Sequence, residues 1–227
     1  DKVTVTSRRA GTNKGNIWES DGKGSFTVIP SDADDPRGTK VVLHILKSEK
    51  EFLESERIKQ IIKTYSDHIA LPIILAGKED AVEQINTASA LWARPRSEVN
   101  KDQYNEFYRH VGQMFDEPWL TLHNRVEGKI EYTNLVFIPS SQPFDLFQPE
   151  RKTNIKLYVR RIFITDDCED LLPAWLRFIR GIIDSEDLPL NVSREMLQNN
   201  PVLTRIRTGL IKRVISELKK KSKKDAE

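Results

Sequence analysis

NIKLYVRRIFITDDCEDLLPAWLRFIRGIIDSEDLPLNVSREMLQ, residues Asn154–Gln198, decides how the second half of the chain is read. Asn154–Thr165 is nearly continuous in apolar character, which predicts a central strand in a sheet covered on both faces. Leu171–Ile183 brings Leu172, Trp175, Leu176 and Ile179 to one side at spacings of three and four, which predicts a helix. Asp184–Val192 reads as a loop, and Ser193 as the N-cap of a short helix, Arg194–Gln198. Strand, helix, loop and helix in that order point to an α/β unit.

Working outward, Lys129–Ile138 is a second strand of the same covered type. Asn100 with Gln103 has the pattern of a capping box, opening a helix whose stripe is Tyr104, Phe107, Tyr108, Val111 and Phe115. Pro201 suits the first turn of a last helix, with Leu203, Ile206, Leu210, Val214 and Leu218 inward. Near the other end, Lys2–Arg8, Asn16–Glu19, Ser25–Ile29 and Gly38–Leu46 read as an antiparallel meander. The turn Ser20–Gly24 joins the second and third of these as a hairpin. Glu51–Ala70 reads as a helix with Ile58, Ile61, Ile62, Tyr65 and Ile69 in one stripe, and Leu71–Leu75 as a short strand. Residues 76–83 lack periodicity, so a linker is expected there. The expected organisation is a first segment over 1–77, a linker over 78–84 and a second unit over 85–227. The fold class is α+β and α/β, the second unit a three-layer α/β/α arrangement on a mixed sheet. The strands of the first segment would expose an apolar face, which predicts self-association or disorder there.

Of 227 residues, 38% are hydrophobic, enough for a buried core. The 36 basic and 34 acidic residues nearly cancel, so the net charge of +2 is no argument for nucleic acid. The single cysteine, Cys168, excludes an internal disulfide and fits a reducing compartment. No apolar run approaches the roughly 18 residues that span a bilayer, and no signal-peptide pattern opens the chain. The chain starts at Asp1 in a strand-like run and stops in a lysine-rich helix, so both ends read as cuts in a longer protein.

No common catalytic motif is complete: GxxxxGK[ST], GxSxG and HExxH are all missing. His44, His68, His110 and His123 are scattered without ligand spacing, so no metal site is expected. Cys168 sits among Asp166, Asp167, Glu169 and Asp170, whose charges disfavour a thiolate and make it a poor nucleophile. The segment Ser185–Gln198 stands out as a polar loop feeding a helix start. Helix N-termini present unbonded N–H groups and a partial positive charge, and a cation beside them makes an anion site. Arg194 lies in that first turn, where it opposes the dipole. The alternative is that Arg194 pairs with Glu195, Glu186 or Asp187.

SEDLPLNVSREMLQ, within the longer stretch Asn154–Gln198, closely resembles the catalytic loop of the ninety-kilodalton heat-shock chaperones. IWESDGKGSFTV (Ile17–Val28), RGTKVVLHI (Arg37–Ile45), RIKQIIKTYSDHIALPI (Arg57–Ile73), ALWARPRSEV (Ala90–Val99), HNRVEGKIEYTNLVFIP (His123–Pro139) and PFDLF (Pro143–Phe147) extend the resemblance, in order, over the whole chain. The short linker, without a long acidic run, is similar to the bacterial branch. The resemblance implies that 1–77 is the end of a gyrase- and histidine-kinase-like ATP-binding α/β sandwich, and that 85–227 is the large subdomain of the middle domain. It implies ATP and Mg2+ as ligands of the full-length protein, held mostly by residues outside this chain. Gly38 and Thr39 are what remains of the nucleotide site, Thr39 matching a threonine that lies against adenine; the alternative is an ordinary strand residue. It implies Arg194 as the catalytic arginine reaching the γ-phosphate, with Gln198 its partner one turn later, while Asn191 and Ser193 shape the loop. Phe163 matches a residue that contacts the closed N-terminal domain; core packing is the alternative.

The resemblance further implies unfolded or partly folded client proteins, the protein's own N-terminal domain and a homodimer as partners, in the cytoplasm, with no nucleic acid or membrane. Phe115 and Trp119, with Phe144, are the client candidates, a satellite core being the alternative. Two other functions compete. The chain by itself could be a non-enzymatic client- or cochaperone-binding module. The basic run Arg205, Arg207, Lys212, Arg213 and Lys219–Lys224 could bind nucleic acid, although lysines also collect at helix C-termini.

Overall fold

The computed structural model describes residues 2–31, 36–77, 82–112, 114–142, 154–166, 168, 171–190, 197 and 200–224. The chain is a mixture of α and β structure carrying several sheets. It divides into two units, Asp1–Gln60 and Ile61–Glu227.

The first unit holds β1 (Lys2–Arg8), β2 (Gly15–Ser20), β3 (Phe26–Ser31) and β4 (Gly38–His44). The β2–β3 hairpin forms as expected: the Ser20 hydroxyl donates to the Ser25 carbonyl at 2.8 Å, and Gly22 and Gly24 take φ of +75° and +89°. The meander expectation is corrected. The order is β3-β2-β1-β4, all antiparallel, so β4 returns to pair with β1 rather than β3. Register explains what this does. Val28, Trp18, Val5 and Val41 stand in one cross-strand row, and Phe26, Val3 and Leu43 share the next row on the same face. That face is open: Phe26, Val28, Val41 and Leu43 are 65%, 54%, 56% and 58% exposed. The expected Glu51–Ala70 helix is shorter. A 3-10 turn spans Lys47–Leu53, extended Glu54 interrupts it, and α1 runs Ser55–Tyr65.

The second unit begins with a small antiparallel pair, β5 (Ile74–Ala76) with β6 (Val82–Gln84). The division into units does not coincide with the expected linker, for a visible reason. Asn86 is buried, its Oδ1 accepting the Ile73 N–H at 2.8 Å and its Nδ2 donating to the Leu71 carbonyl at 2.9 Å. The Asp67 carboxylate accepts the Thr87 N–H at 2.8 Å. These bonds tie the segment after α1 to the residues leading into the second sheet.

α2 (Lys101–Gly112) is opened by a reciprocal cap: Gln103 N–H to Asn100 Oδ1 at 2.9 Å, and Asn100 N–H to Gln103 Oε1 at 3.1 Å. The main sheet has the order β10-β9-β11-β8-β7, from β7 (Pro118–Val126), β8 (Tyr132–Pro139), β9 (Asn154–Val159), β10 (Ile162–Thr165) and β11 (Arg180–Ser185). It is mixed, since β11 runs parallel to β9 and antiparallel to β8. Alternation sorts the side chains to two faces. Val136, Ile155, Leu157, Val159 and Ile183 pack with Leu203, Ile206, Leu210 and Val214 of α3 (Pro201–Lys224). Leu135, Phe137, Tyr158 and Ile182 pack with Trp92 and Tyr108 on the other. The last helix is capped by Asn200, whose Oδ1 accepts the Val202 N–H at 2.9 Å.

Two expectations fail here. Asn154–Thr165 is a hairpin, not one strand, because the chain reverses at Arg160 and Arg161, both with positive φ. Leu171–Ile183 is not a helix. It holds a 3-10 turn, Ala174–Leu176, and then the central strand β11, while Trp175 is exposed. Its helical spacing is overridden by non-local pairing, which Gly181 permits. Gly181 has φ +135°, and a Cβ there would lie 2.2 Å from the Leu135 carbonyl oxygen. β7 carries no expectation from sequence.

Candidate functional site

β11 delivers the chain into the segment that carries Arg194. At its end Ser185 is buried, and its hydroxyl oxygen accepts the N–H groups of Asp187 and Leu188, each at 3.3 Å. The Glu186 N–H bonds the Glu131 carbonyl at 3.0 Å, and the Asp187 carboxylate accepts the Glu131 N–H at 2.6 Å. Leu188 is buried in the core. Every residue of 185–188 is therefore tied down locally. Arg194 and Gln198, with Asn191 and Ser193, lie outside the described residues. Leu197, between them, is described and buried.

The Arg160–Arg161 turn stands against the 185–188 stretch. Its φ values are +49° and +67°, a region that favours Asn-Gly over two arginines. The Arg160 N–H bonds the Ser185 carbonyl at 3.1 Å and its Nε donates to the Glu186 carbonyl at 3.3 Å. The Arg161 N–H bonds Oδ1 of Asp184 at 3.1 Å. Oδ2 of the same carboxylate accepts the indole N–H of Trp92 at 2.7 Å. Asp184 is buried, and burial pushes its pKa up against the two hydrogen bonds that favour the anion. Trp92 is itself held: the His123 Nε2–H donates to its carbonyl at 2.9 Å, and its ring lies among His68, Phe107 and Tyr158. Sequence reading overlooked Asp184 and Trp92. The signal was faint: one acid closing the apolar run Ile182–Ile183.

Phe163, in β10, is half-buried with its ring 5.6 Å from Tyr158 and 6.0 Å from Tyr65. Gly38 and Thr39 open β4 in the first unit, where the Thr39 hydroxyl lies 2.9 Å from that of Ser7 and both residues are exposed. Phe115 does not continue the α2 stripe. It follows the helix and is 98% exposed, which removes the satellite-core alternative for it. Trp119 is half-buried in β7; Lys221 Nζ sits 4.8 Å from its ring centroid and also donates to its carbonyl. Phe144 lies outside the described residues. In the basic run of α3, Glu217 pairs with Arg213 at 3.4 Å and Lys220 at 2.8 Å. Among the described residues, no group of three or more His, Cys, Asp or Glu side chains is placed to hold a metal ion. No helix among them is long and apolar enough to cross a membrane.

The family model described as Hsp90 protein matches residues 77–227. The chain is 61% identical over 227 residues to the chaperone protein HtpG of Paramagnetospirillum magneticum, covering 100% of this chain and 36% of that protein. It is 55% identical over 230 residues to HtpG of Rickettsia rickettsii, covering 100% of this chain and 37% of the relative. It is 56% identical over 225 residues to HtpG of Rhodospirillum rubrum, covering 99% and 36%. The chain thus spans little more than a third of the length of these curated relatives.

Proposed function

The chain belongs to the Hsp90 family, and from that premise we propose that it is a segment of an ATP-dependent molecular chaperone. On this reading residues 1–77 close an ATP-binding domain, 78–84 link, and 85–227 are the large subdomain of the middle domain. Arg194 faces the γ-phosphate of ATP held by the N-terminal domain, with Gln198 beside it. A guanidinium is permanently charged and forked, and so suits the charge that gathers on γ-phosphoryl oxygens during transfer. The observation that carries the reading is the firm base at 185–188 immediately before this segment. A cation that must meet a phosphate brought by another domain needs such a platform. The donor chemistry nearby also fits an anionic ligand, because two further arginines stand on the turn beside that base. Thr39 would lie against the adenine, and Phe163 would meet the N-terminal domain. Mg2+ would be held by residues outside this chain. In the whole protein the setting is cytoplasmic and homodimeric.

The test is reconstitution. The chain alone should show no ATP hydrolysis, and added to a separately produced N-terminal domain it should raise that domain's rate. Stimulation that is the same with Arg194→Ala would defeat the proposal.

A second reading concerns unfolded clients, and one observation favours it: Phe115 is 98% exposed at the end of α2. Exposed aromatics are typical anchors of protein contacts. Binding of an unfolded protein should weaken in Phe115→Ala and in Trp119→Ala, and equal binding by both variants would remove this role.

A further inference from the structure

Asp184 is a carboxylate buried in the central strand and held by two neutral donors. Its two oxygens serve two distant pieces of chain: Oδ2 accepts Trp92 Nε1–H at 2.7 Å, and Oδ1 accepts the Arg161 N–H at 3.1 Å. Burying a carboxylate is costly, and two neutral donors offset only part of that cost. The raised pKa records the imbalance. A second unfavourable feature adjoins it. Arg160 and Arg161 both sit at positive φ, where L side chains are disfavoured. Strain of this kind persists where the surroundings over-determine it, and it gathers at functional sites.

Both features converge on one place. The Arg161 N–H is fixed by Asp184, the Arg160 N–H by the Ser185 carbonyl, and the Arg160 Nε by the Glu186 carbonyl. The turn and the start of the Arg194 segment are therefore one hydrogen-bonded body, with Asp184 at its root and Trp92 as the outside brace. We infer that Asp184 is a positioning residue for ATP hydrolysis, fixing the Arg160–Arg161 turn and, through it, residues 185–186 that precede Arg194 in sequence, and that Trp92 braces it. This inference rests on the proposed role of Arg194.

The test uses the full-length protein. In Asp184→Asn the amide has one acceptor and one donor, so one of the two N–H groups loses its partner. Trp92→Phe keeps an aromatic ring but removes that N–H together with part of the bicyclic indole, at a site only 1% exposed. Expected for Asp184→Asn is a kcat lower by about tenfold with KM for ATP within about twofold, because a small misplacement costs rate rather than affinity. Trp92→Phe should show the same split, smaller in size, with a thermal midpoint lowered by the cavity it leaves but the variant still folded. Hydrogen exchange at the Arg161 and Leu188 amides should quicken in both. Should Asp184→Asn fail to fold, Trp92→Phe decides. Unchanged kcat in every folded variant, while Arg194→Ala loses activity, would overturn this inference alone. Unchanged kcat in Arg194→Ala would overturn the parent reading and this one with it.

Discussion

The phenol of Tyr108 donates a 3.0 Å hydrogen bond to Oδ1 of Asp116, joining the buried side of α2 to the turn that precedes β7. Oδ2 of the same carboxylate gathers the N–H and hydroxyl groups of both Ser140 and Ser141, at 2.7 to 3.1 Å. One acid thus pins the end of β8 to the turn that displays Phe115.

That knot carries a pH signature. Burial raises the pKa of Asp116, but the hydrogen bonds from Ser140, Ser141 and Tyr108 outweigh it and hold the pKa at about 2. A carboxyl whose folded pKa is depressed contributes stability above its unfolded value, near 3.9, and loses it as pH falls through the folded one. Stability from this group should therefore decline between about pH 4 and pH 2. Denaturant melts of Asp116→Ala should show a loss of about 2 kcal/mol at neutral pH that shrinks across that window. A constant difference from pH 7 to pH 2 would refute the assignment.

Gly181 has no tolerable replacement. Its φ of +135° and the Leu135 carbonyl 2.2 Å from a Cβ position forbid a side chain unless two central strands separate. Gly181→Ala should cost on the order of 3 kcal/mol or more, or prevent folding of the second unit. A thermal midpoint within a few degrees of the parent would contradict the strand pairing described for β11.

The Arg160–Arg161 turn holds local strain that turn chemistry can relieve. Arg160→Asn with Arg161→Gly suits two positive φ values and keeps both backbone N–H donors. The double variant should be more stable by about 1 kcal/mol. Calorimetry reporting a lower midpoint would mean that the two side chains stabilise the fold more than their backbone costs.

The open face of the first sheet should drive association. Val41→Lys with Leu43→Lys removes two of its exposed apolar side chains and adds like charges. Sedimentation of the chain should shift toward smaller species, and binding of an apolar dye should fall. No change in either would show that this face is inert in solution.

Local chemistry was readable wherever it was self-sufficient. The strands β1 to β4, the Asn100–Gln103 cap of α2 and the buried stripe of α3 follow from patterns spanning a few residues, and the structure contains them. The family was readable too, because long motifs recur in order along the chain, and the family model matches residues 77–227. The remainder depended on partners far away in sequence. β4 pairs with β1 through a register that no turn signal reveals. Leu171–Ile183 has helical spacing, yet its end is the central strand, since a strand covered on both faces loses the alternation that would announce it. Asp184 acquires its place from Trp92, 92 positions away, and from a turn whose two arginines are not turn-forming residues. The sequence by itself determined the elements that short-range hydrogen bonds and periodic burial can specify, and the family. Only the tertiary structure decided which strands became neighbours and which buried acid held the Arg160–Arg161 turn, because those are energies of contacts between segments that local pattern does not record.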